Sequence, residues 1–170
     1  GFNKSHAAAY GLIAYQTAYL KKYFPNHFFS ASMTMEISNQ KKLSEFYEEL
    51  KRLSINIIRP DINKCYADFS SDGKNFFYAL GAIKSVGFEA ISKIVEERNK
   101  NGVFKDLTDF INRVNPKYIN KLQLEGLVKA GAFDNLYKNR HSLYNSIPNI
   151  ILKSKNIFEN NSANQIDLFK

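Results

Sequence analysis

Residues 81–98, GAIKSVGFEAISKIVEER, decide the fold that we expect for this chain of 170 residues. A short apolar segment precedes the turn Val86-Gly87-Phe88, and apolar side chains then recur at helical spacing. A similar pattern returns at residues 124–136, LEGLVKAGAFDNL, around the turn Ala130-Gly131-Ala132. The sequence therefore predicts two helical hairpins, each of which turns at a glycine.

Two such hairpins resemble the tandem form of the helix-hairpin-helix motif. Glycine permits a positive φ and a close approach to a surface, and the helix that follows presents unpaired N–H groups to an anion. Lysines beside the turns add charge without reading bases. We therefore predict phosphate contacts at Lys84, Ser85, Val86, Gly87, Phe88 and Lys93 in the first copy, and at Lys129, Ala130, Gly131 and Ala132 in the second.

The alternative is that these turns only connect two helices and contact no phosphate, because an apolar-Gly-apolar turn also occurs in helical hairpins that do not bind DNA. The second copy has alanine on both sides of its glycine, and Asp134 follows soon after. A mainly structural role therefore stays open for the second turn.

Composition and charge limit the partners and the cellular environment that we expect for this chain. The net charge of +8 favours a polyanionic partner, although a basic surface also serves solubility alone. Residues 61–134 hold 11 basic and 10 acidic side chains, so phosphate contacts there would depend on local geometry. The single cysteine excludes an intramolecular disulfide, and we expect a cytoplasmic protein with no membrane contact.

Helical periodicity covers most of the chain, which predicts a mainly α fold. Predicted helices span residues 5–22, 27–37, 41–53, 79–84, 88–99, 107–114, 117–129 and 138–152. Residues 65–80 alternate around Ser71-Asp72-Gly73-Lys74 and predict one small β-hairpin. From Lys153 the sequence is polar, and we expect a flexible tail.

The chain begins at Gly1 rather than at methionine, and we expect a fragment of a larger protein. Near this end, Lys4, Ser5 and His6 stand at a predicted helix N-terminus, where the helix dipole favours an anion. From spacing alone, a capping or core role for His6 is favoured over a phosphate contact. The sequence contains no complete catalytic triad, metal-ligand cluster or Walker loop.

The chain resembles the α subunits of bacterial DNA polymerase III over essentially its whole length. The resemblance rests on the run from Phe2 to Phe29 and on "RPDIN", "YALGAIKSVG", "FKDLTDFINRV", "NKLQLEGLVKAGAFD" and "QIDLF". It implies a DNA-directed DNA polymerase in which Lys4, Ser5 and His6 lie near the incoming nucleotide and template. The metal-binding aspartates of that family belong to the palm domain, so the resemblance implies no catalytic residue in this chain and Mg²⁺ only in the full-length enzyme.

The last residues contain a motif that is similar to the clamp-binding pentapeptide of the same family: Gln165, Ile166, Asp167, Leu168 and Phe169. We expect Leu168 and Phe169 to enter apolar pockets of the sliding clamp. Burying each is worth roughly 1.5–3 kcal/mol, which is comparable to the cost of ordering the peptide. The alternative is that these side chains fold back onto the body of the chain.

The predicted organisation has four parts. Residues 1–60 form the C-terminal part of the polymerase fingers, 61–78 an extended or hairpin connection, 79–152 the tandem helix-hairpin-helix module, and 153–170 a flexible tail. We expect the chain to bind primer-template duplex through phosphates and to recruit the β sliding clamp, beside other subunits of the holoenzyme. A spacer without DNA binding, and a nuclease or transferase that uses His6, are the rival hypotheses.

Overall fold

The structure is a computed structural model that describes residues 3–167, with side chains for residues 3–160. The chain divides into two compact units. Unit 1 comprises residues 1–57 and 70–76, and unit 2 comprises residues 58–69 and 77–170. The predicted connection, residues 61–78, is thus shared between the two units.

Unit 1 contains three helices: α1 (Lys4–Tyr23), α2 (Pro25–Met35) and α3 (Gln40–Arg52). They confirm the three helices predicted for this part of the sequence. Pro25 occupies the first turn of α2, where its missing N–H costs nothing. Asn39 caps α3, because its side chain accepts a hydrogen bond from the Lys42 N–H at 3.2 Å. The buried apolar side chains of this unit are Phe29, Met33, Leu43, Leu50 and Phe76.

Helix α1 has the predicted length, but its apolar residues are not covered. No residue of α1 is buried against the described part of the chain. Tyr10, Ile13 and Leu20, which the sequence places on one face, are 60%, 58% and 48% exposed. The periodicity of α1 therefore predicts the helix correctly without identifying a buried face.

The small sheet has three strands, β1 (Asn56–Ile58), β2 (Ser70–Ser71) and β3 (Asn75–Phe77), in the order β1-β3-β2. Strands β2 and β3 form the predicted hairpin. Its turn is held by Asp72, whose Oδ1 accepts from the N–H groups of Lys74 at 2.9 Å and Asn75 at 2.6 Å. Gly73 adopts φ +86°, a conformation that glycine reaches at low cost.

Unit 2 contains α4 (Phe88–Asn101), α5 (Leu107–Arg113), α6 (Lys121–Ala130) and α7 (Arg140–Asp167). Its buried apolar residues, which lie between Ile62 and Ile150 in the sequence, form one cluster. In this cluster the Phe110 ring packs edge-to-face against the rings of Phe104 and Phe133, with centroids 5.1 Å apart in each pair. These contacts join α5 to the turn after α6, so the two hairpins of this unit share one core.

Two helix predictions in unit 2 are wrong in extent. The helix predicted at residues 79–84 is a single 3₁₀ turn, Leu80–Ala82. Ile83 has extended backbone angles, φ −71° and ψ 130°, which end the helical turn, while the N–H groups of Leu80 and Gly81 donate to the carbonyls of Tyr66 and Ala67. The helix predicted from residue 117 begins at Lys121, because Asn120 and Gln123 form a reciprocal capping box there.

The predicted end of the last helix at Leu152 is also wrong for the described residues. Helix α7 continues to Asp167, and Ser154 is completely buried. Ile151 and Ile157 pack partly buried against the core of unit 2, so the apolar periodicity extends beyond Leu152. Within residues 3–167, no helix has both the length and the apolar character that a bilayer span requires.

Candidate nucleic-acid interface

The first hairpin turn lies between the 3₁₀ turn and α4. The predicted positive φ at Gly87 is wrong, since this residue has φ −79° and ψ 136°. Ser85 adopts the left-handed conformation instead, with φ +68°. The Val86 N–H closes the turn by donating to the Ile83 carbonyl at 3.0 Å, and the Val86 side chain is buried in the core. The turn is therefore anchored by Val86 and reverses at Ser85.

Helix α4 begins directly after this turn and presents an open N-terminus. Gly87 is the N-cap residue, and no described side chain supplies a capping hydrogen bond. The first N–H groups of an α-helix have no intrahelical acceptor, and the helix dipole gives this end a positive partial charge. Gly87, Phe88 and Glu89 are all exposed. The arrangement leaves a group of backbone donors accessible to an anion.

The charged side chains near this turn differ in their availability. Lys84 is exposed and forms no ion pair with a described residue. Lys93, by contrast, donates to Glu96 at 2.8 Å, and this hydrogen bond raises the pKa of the Lys93 ammonium. Glu89 places a carboxylate in the first turn of α4, which opposes anion binding. Of the two predicted lysines, Lys84 is therefore the better placed for a phosphate.

The second predicted turn has a different geometry. Gly131 ends α6 in the left-handed conformation, with φ +83°, which confirms a positive φ at this glycine. Gly131 and Ala132 are buried, and Ala130 is half-buried. The next helix, α7, begins only at Arg140. Its N-terminus therefore does not follow the glycine directly, as α4 does in the first copy.

An ion pair covers the second turn. The Arg140 Nε donates to the Asp134 Oδ1 at 2.6 Å, and the Nη2 of the same arginine contacts the other carboxylate oxygen. A Cβ added to Gly131 would stand 2.7 Å from the Arg140 Cζ. The Lys129 ammonium lies 4.9 Å from the centroid of the Tyr144 ring. Around this turn the predicted phosphate donors are buried or engaged within the chain.

Sequence reasoning missed two residues that contact the first turn, Gln123 and Gly126 of α6. A Cβ added to Gly126 would stand 2.8 Å from the Lys84 carbonyl oxygen. The Gln123 Nε2 stands 3.3 Å from the position of a Cβ on Gly87. The one signal in the sequence for this contact was a glycine inside a predicted helix. Glycine destabilises a helix by about 1 kcal/mol relative to alanine, so its presence there indicates a close packing contact.

Lys4, Ser5 and His6 occupy the first turn of α1 in unit 1, as predicted. Asn3 caps this helix by accepting from the Ser5 N–H at 3.3 Å and from the Ser5 hydroxyl at 2.8 Å. The His6 ring packs edge-on against Tyr10, with centroids 4.6 Å apart. These three side chains are exposed at a capped helix end.

The structure describes only part of the predicted clamp-binding motif. Gln165, Ile166 and Asp167 belong to the backbone of α7, whereas Leu168 and Phe169 lie outside the described residues.

Other reactive chemistry is sparse in residues 3–160. No group of three or more His, Cys, Asp or Glu side chains among them could hold a metal ion. Burial raises the pKa of the Cys65 thiol to about 11, so this side chain is a poor nucleophile near neutral pH.

Comparison with known proteins agrees with the geometry of unit 2. A family model described as "Helix-hairpin-helix motif" matches residues 54–143. The chain is 43% identical over 169 residues to the DNA polymerase III subunit alpha of Caulobacter vibrioides and 44% identical over 169 residues to that of Borreliella burgdorferi. Each alignment covers 99% of this chain and 15% of the relative.

The corresponding subunit of Campylobacter jejuni is 44% identical over 163 residues, covering 94% of this chain and 14% of the relative. This chain thus spans about 15% of the length of the curated relatives that it matches. The family match includes the first turn, α4, α5, α6 and the start of α7, which are the elements that share one core. The chain therefore belongs to the helix-hairpin-helix family and, along nearly all of its length, is similar to one segment of the DNA polymerase III α subunits.

Proposed function

We propose that unit 2 binds duplex DNA through the sugar-phosphate backbone at the first hairpin, residues 83–87. The observation that carries this proposal is the exposed N-terminus of α4, which has no side-chain cap among the described residues. It follows a turn that carries Lys84, which forms no ion pair with any described residue. Backbone N–H groups at a helix N-terminus suit a phosphate oxygen, and Lys84 adds a charge-assisted contact.

The chemistry of these donors predicts binding without base specificity. Backbone N–H groups and a lysine ammonium contact phosphates, which are the same at every base pair, and they offer no pattern that matches a base edge. The near-neutral charge of residues 61–134 predicts few phosphate contacts. We therefore expect weak binding with a modest salt dependence. Each neutralised phosphate adds about 0.9 to the steepness with which log K falls against log salt concentration.

In the longer protein, this contact would hold the primer-template duplex of a DNA polymerase. The support is the similarity to DNA polymerase III α subunits along nearly the whole chain. Nucleotidyl transfer and its Mg²⁺ would then belong to other segments, and Lys4, Ser5 and His6 would lie near the nucleotide and template. We expect no primer extension when this chain alone is incubated with primer-template, deoxynucleotides and Mg²⁺.

The decisive experiment is a titration of fluorescent duplex DNA with the chain, followed by anisotropy at several salt concentrations. Gly87→Asp places a carboxylate at the proposed phosphate site. Aspartate is a favoured N-cap residue, and Gly87 already has extended backbone angles, so the variant should fold. We expect affinity to fall by about tenfold or more, because the carboxylate repels a phosphate and accepts from the α4 N–H groups that the phosphate would use.

Asn99→Asp is the matched control, since it makes the same change of charge on the exposed surface of α4. The position lies twelve residues further along the helix, about 18 Å away, which exceeds the screening length at physiological salt. Equal affinities of the two variants would contradict the phosphate site. Absence of any binding by the unmodified chain would favour the rival hypothesis of a structural spacer.

We also propose that the terminal motif, residues 165–169, recruits the sliding clamp. Its support is the sequence, which ends a polar stretch with a glutamine and two adjacent large apolar residues. A weak contact of this kind becomes effective when DNA binding raises the local concentration of the partner. Titration of purified clamp with the chain and with the Leu168→Ala/Phe169→Ala variant tests this role, and equal affinities would contradict it.

A further inference from the structure

Helix α6 approaches the first hairpin at a distance that glycine alone permits. A Cβ added to Gly126 would stand 2.8 Å from the Lys84 carbonyl oxygen and 3.0 Å from the Val86 Cγ2. The first of these atoms belongs to the backbone and cannot move by a side-chain rotation. Gly126 lies inside α6, where its backbone conformation does not require glycine. Its small size is therefore explained by contact with the turn.

A second contact of α6 lies one turn earlier in the same helix. The Gln123 Oε1 accepts from the Asn120 N–H at 2.9 Å, which fixes the orientation of the amide. The Gln123 Nε2 then stands 3.3 Å from the position of a Cβ on Gly87. Gln123 and Gly126 thus contact opposite ends of the turn, Gly87 at one end and the Lys84 carbonyl at the other.

We propose that Gly126 is a positioning residue for DNA binding, and that α6 is the support that holds the first hairpin in its binding conformation. This inference rests on the proposed function of the hairpin. Lys84 and the N–H groups of α4 contact one phosphate only if the turn holds them at a fixed separation. The turn includes a strained residue, Ser85, and few internal hydrogen bonds, so its position depends on the burial of Val86 and on the close approach of Gly126 in α6.

The first test is Gly126→Ala, compared with Gly11→Ala, which adds the same methyl group where nothing lies within 4 Å. Both are measured by anisotropy on duplex DNA at a temperature where circular dichroism shows a folded chain. We expect Gly126→Ala to lower affinity by about tenfold, as when a charge-assisted hydrogen bond is lost, and Gly11→Ala to leave it unchanged.

A double-mutant cycle separates positioning from a general loss of folded protein. As a single substitution, Lys84→Ala should weaken DNA binding and reduce the slope of its salt dependence. If Gly126→Ala displaces the turn, adding Lys84→Ala should change neither quantity further. If Gly126→Ala only lowers the folded fraction, Lys84→Ala should retain its full effect, and the positioning role would be wrong.

A second pair of variants decides the question if Gly126→Ala does not fold. Gln123→Ala removes the contact with Gly87, whereas Asn120→Ala removes the other half of the same capping box and leaves that contact intact. Both variants lose one capping hydrogen bond, which is worth about 1 kcal/mol of stability.

We expect Gln123→Ala to lower affinity by about threefold and Asn120→Ala to leave it unchanged, since only the first alters a contact of the turn. Equal affinities would contradict the supporting role of α6 while leaving the proposed DNA binding intact. If the unmodified chain does not bind duplex DNA at low salt, the proposed function itself is wrong.

Discussion

The two hairpin turns of unit 2 share an apolar-Gly-apolar pattern but differ in what surrounds the glycine. Gly87 is exposed, has a negative φ and immediately precedes a helix without a side-chain cap. Gly131 is buried, has a positive φ and ends a helix beneath the Arg140–Asp134 ion pair. The same three-residue pattern therefore forms a helix start in one place and a helix end in the other.

The difference predicts separate roles for the two turns, DNA binding for the first and stability for the second. A glycine before a helix keeps the first N–H groups accessible, because it brings no side chain that would cap them. A glycine at the end of a helix satisfies the last carbonyls by entering the left-handed conformation. We therefore expect substitutions at the first turn to change DNA affinity, and substitutions at the second turn to change the free energy of unfolding.

The largest effect on stability should come from Gly131→Ala. A left-handed conformation costs a residue with a Cβ roughly 1–2 kcal/mol, and the added methyl would also displace the guanidinium of Arg140. We expect a loss of about 2 kcal/mol in the free energy of unfolding, measured by urea denaturation. Gly87→Ala should cost only about 0.5 kcal/mol, since its backbone conformation suits alanine and the added Cβ meets only the end of the Gln123 side chain, at 3.3 Å. Equal losses would contradict the distinction between the two turns.

The next largest effect concerns the lysines of the two turns. Lys84→Ala should lower the affinity for duplex DNA by about fivefold and reduce the salt slope by about 0.9, which corresponds to one phosphate contact. Lys129→Ala should leave both quantities unchanged, because its ammonium already contacts the Tyr144 ring. Anisotropy titrations of both variants at 50 and 200 mM salt, about a fourfold range, measure the affinity and its salt dependence. A loss of slope in Lys129→Ala would place the second turn in the interface.

Sequence periodicity predicted the helices well because apolar spacing depends on local residues alone. It placed α1, α2, α3, α4 and α5 close to their observed bounds and found the turn at Gly73. It did not predict which turn residue adopts a positive φ: Ser85 does so and Gly87 does not. The reason is tertiary, since the buried Val86 fixes the turn in the core and leaves the reversal to its neighbour.

The remaining errors share this cause. The 3₁₀ turn at Leu80–Ala82 replaces a predicted helix because Ile83 adopts extended angles on the way to the buried Val86. The contact of Gly126 with the Lys84 carbonyl joins residues 42 positions apart in sequence, which a local pattern does not show. The position of the first turn could therefore be predicted from the sequence, but the close approach of α6 to it could not.

A smaller effect should follow from substitution at Ser85. Ser85→Gly relieves the left-handed strain, whereas Ser92→Gly makes the same change inside α4, where Ser92 has ordinary helical geometry. We expect Ser85→Gly to raise the free energy of unfolding by about 0.5 kcal/mol, since relief of strain is partly offset by the entropy of glycine. Ser92→Gly should lower it by about 0.5 kcal/mol. If both variants lose stability, the conformation of Ser85 is not strained in solution.

The smallest effect should be a pH dependence at the second turn. Hydrogen bonds from Arg140 lower the pKa of the Asp134 carboxyl below its ordinary value of 3.8. A carboxyl with a lowered folded pKa stabilises the fold above its unfolded pKa, and this contribution disappears as the pH falls through the folded pKa. We therefore expect Arg140→Met to be less stable than the unmodified chain at neutral pH by less than about 1 kcal/mol, and the difference to shrink below about pH 4.

Lys138→Met is the control, because it removes an equal charge from an exposed position near the same turn. Urea denaturation between pH 7 and pH 3, about the range in which carboxyls titrate, compares the three proteins. A difference between Arg140→Met and the unmodified chain that persists at the lowest pH would show that Arg140 stabilises the turn by contacts other than the ion pair, such as its hydrogen bond to the Lys129 carbonyl. If Arg140→Met instead lowered DNA affinity as much as Lys84→Ala, the ion pair would belong to the interface, and the separation of binding from stability would fail.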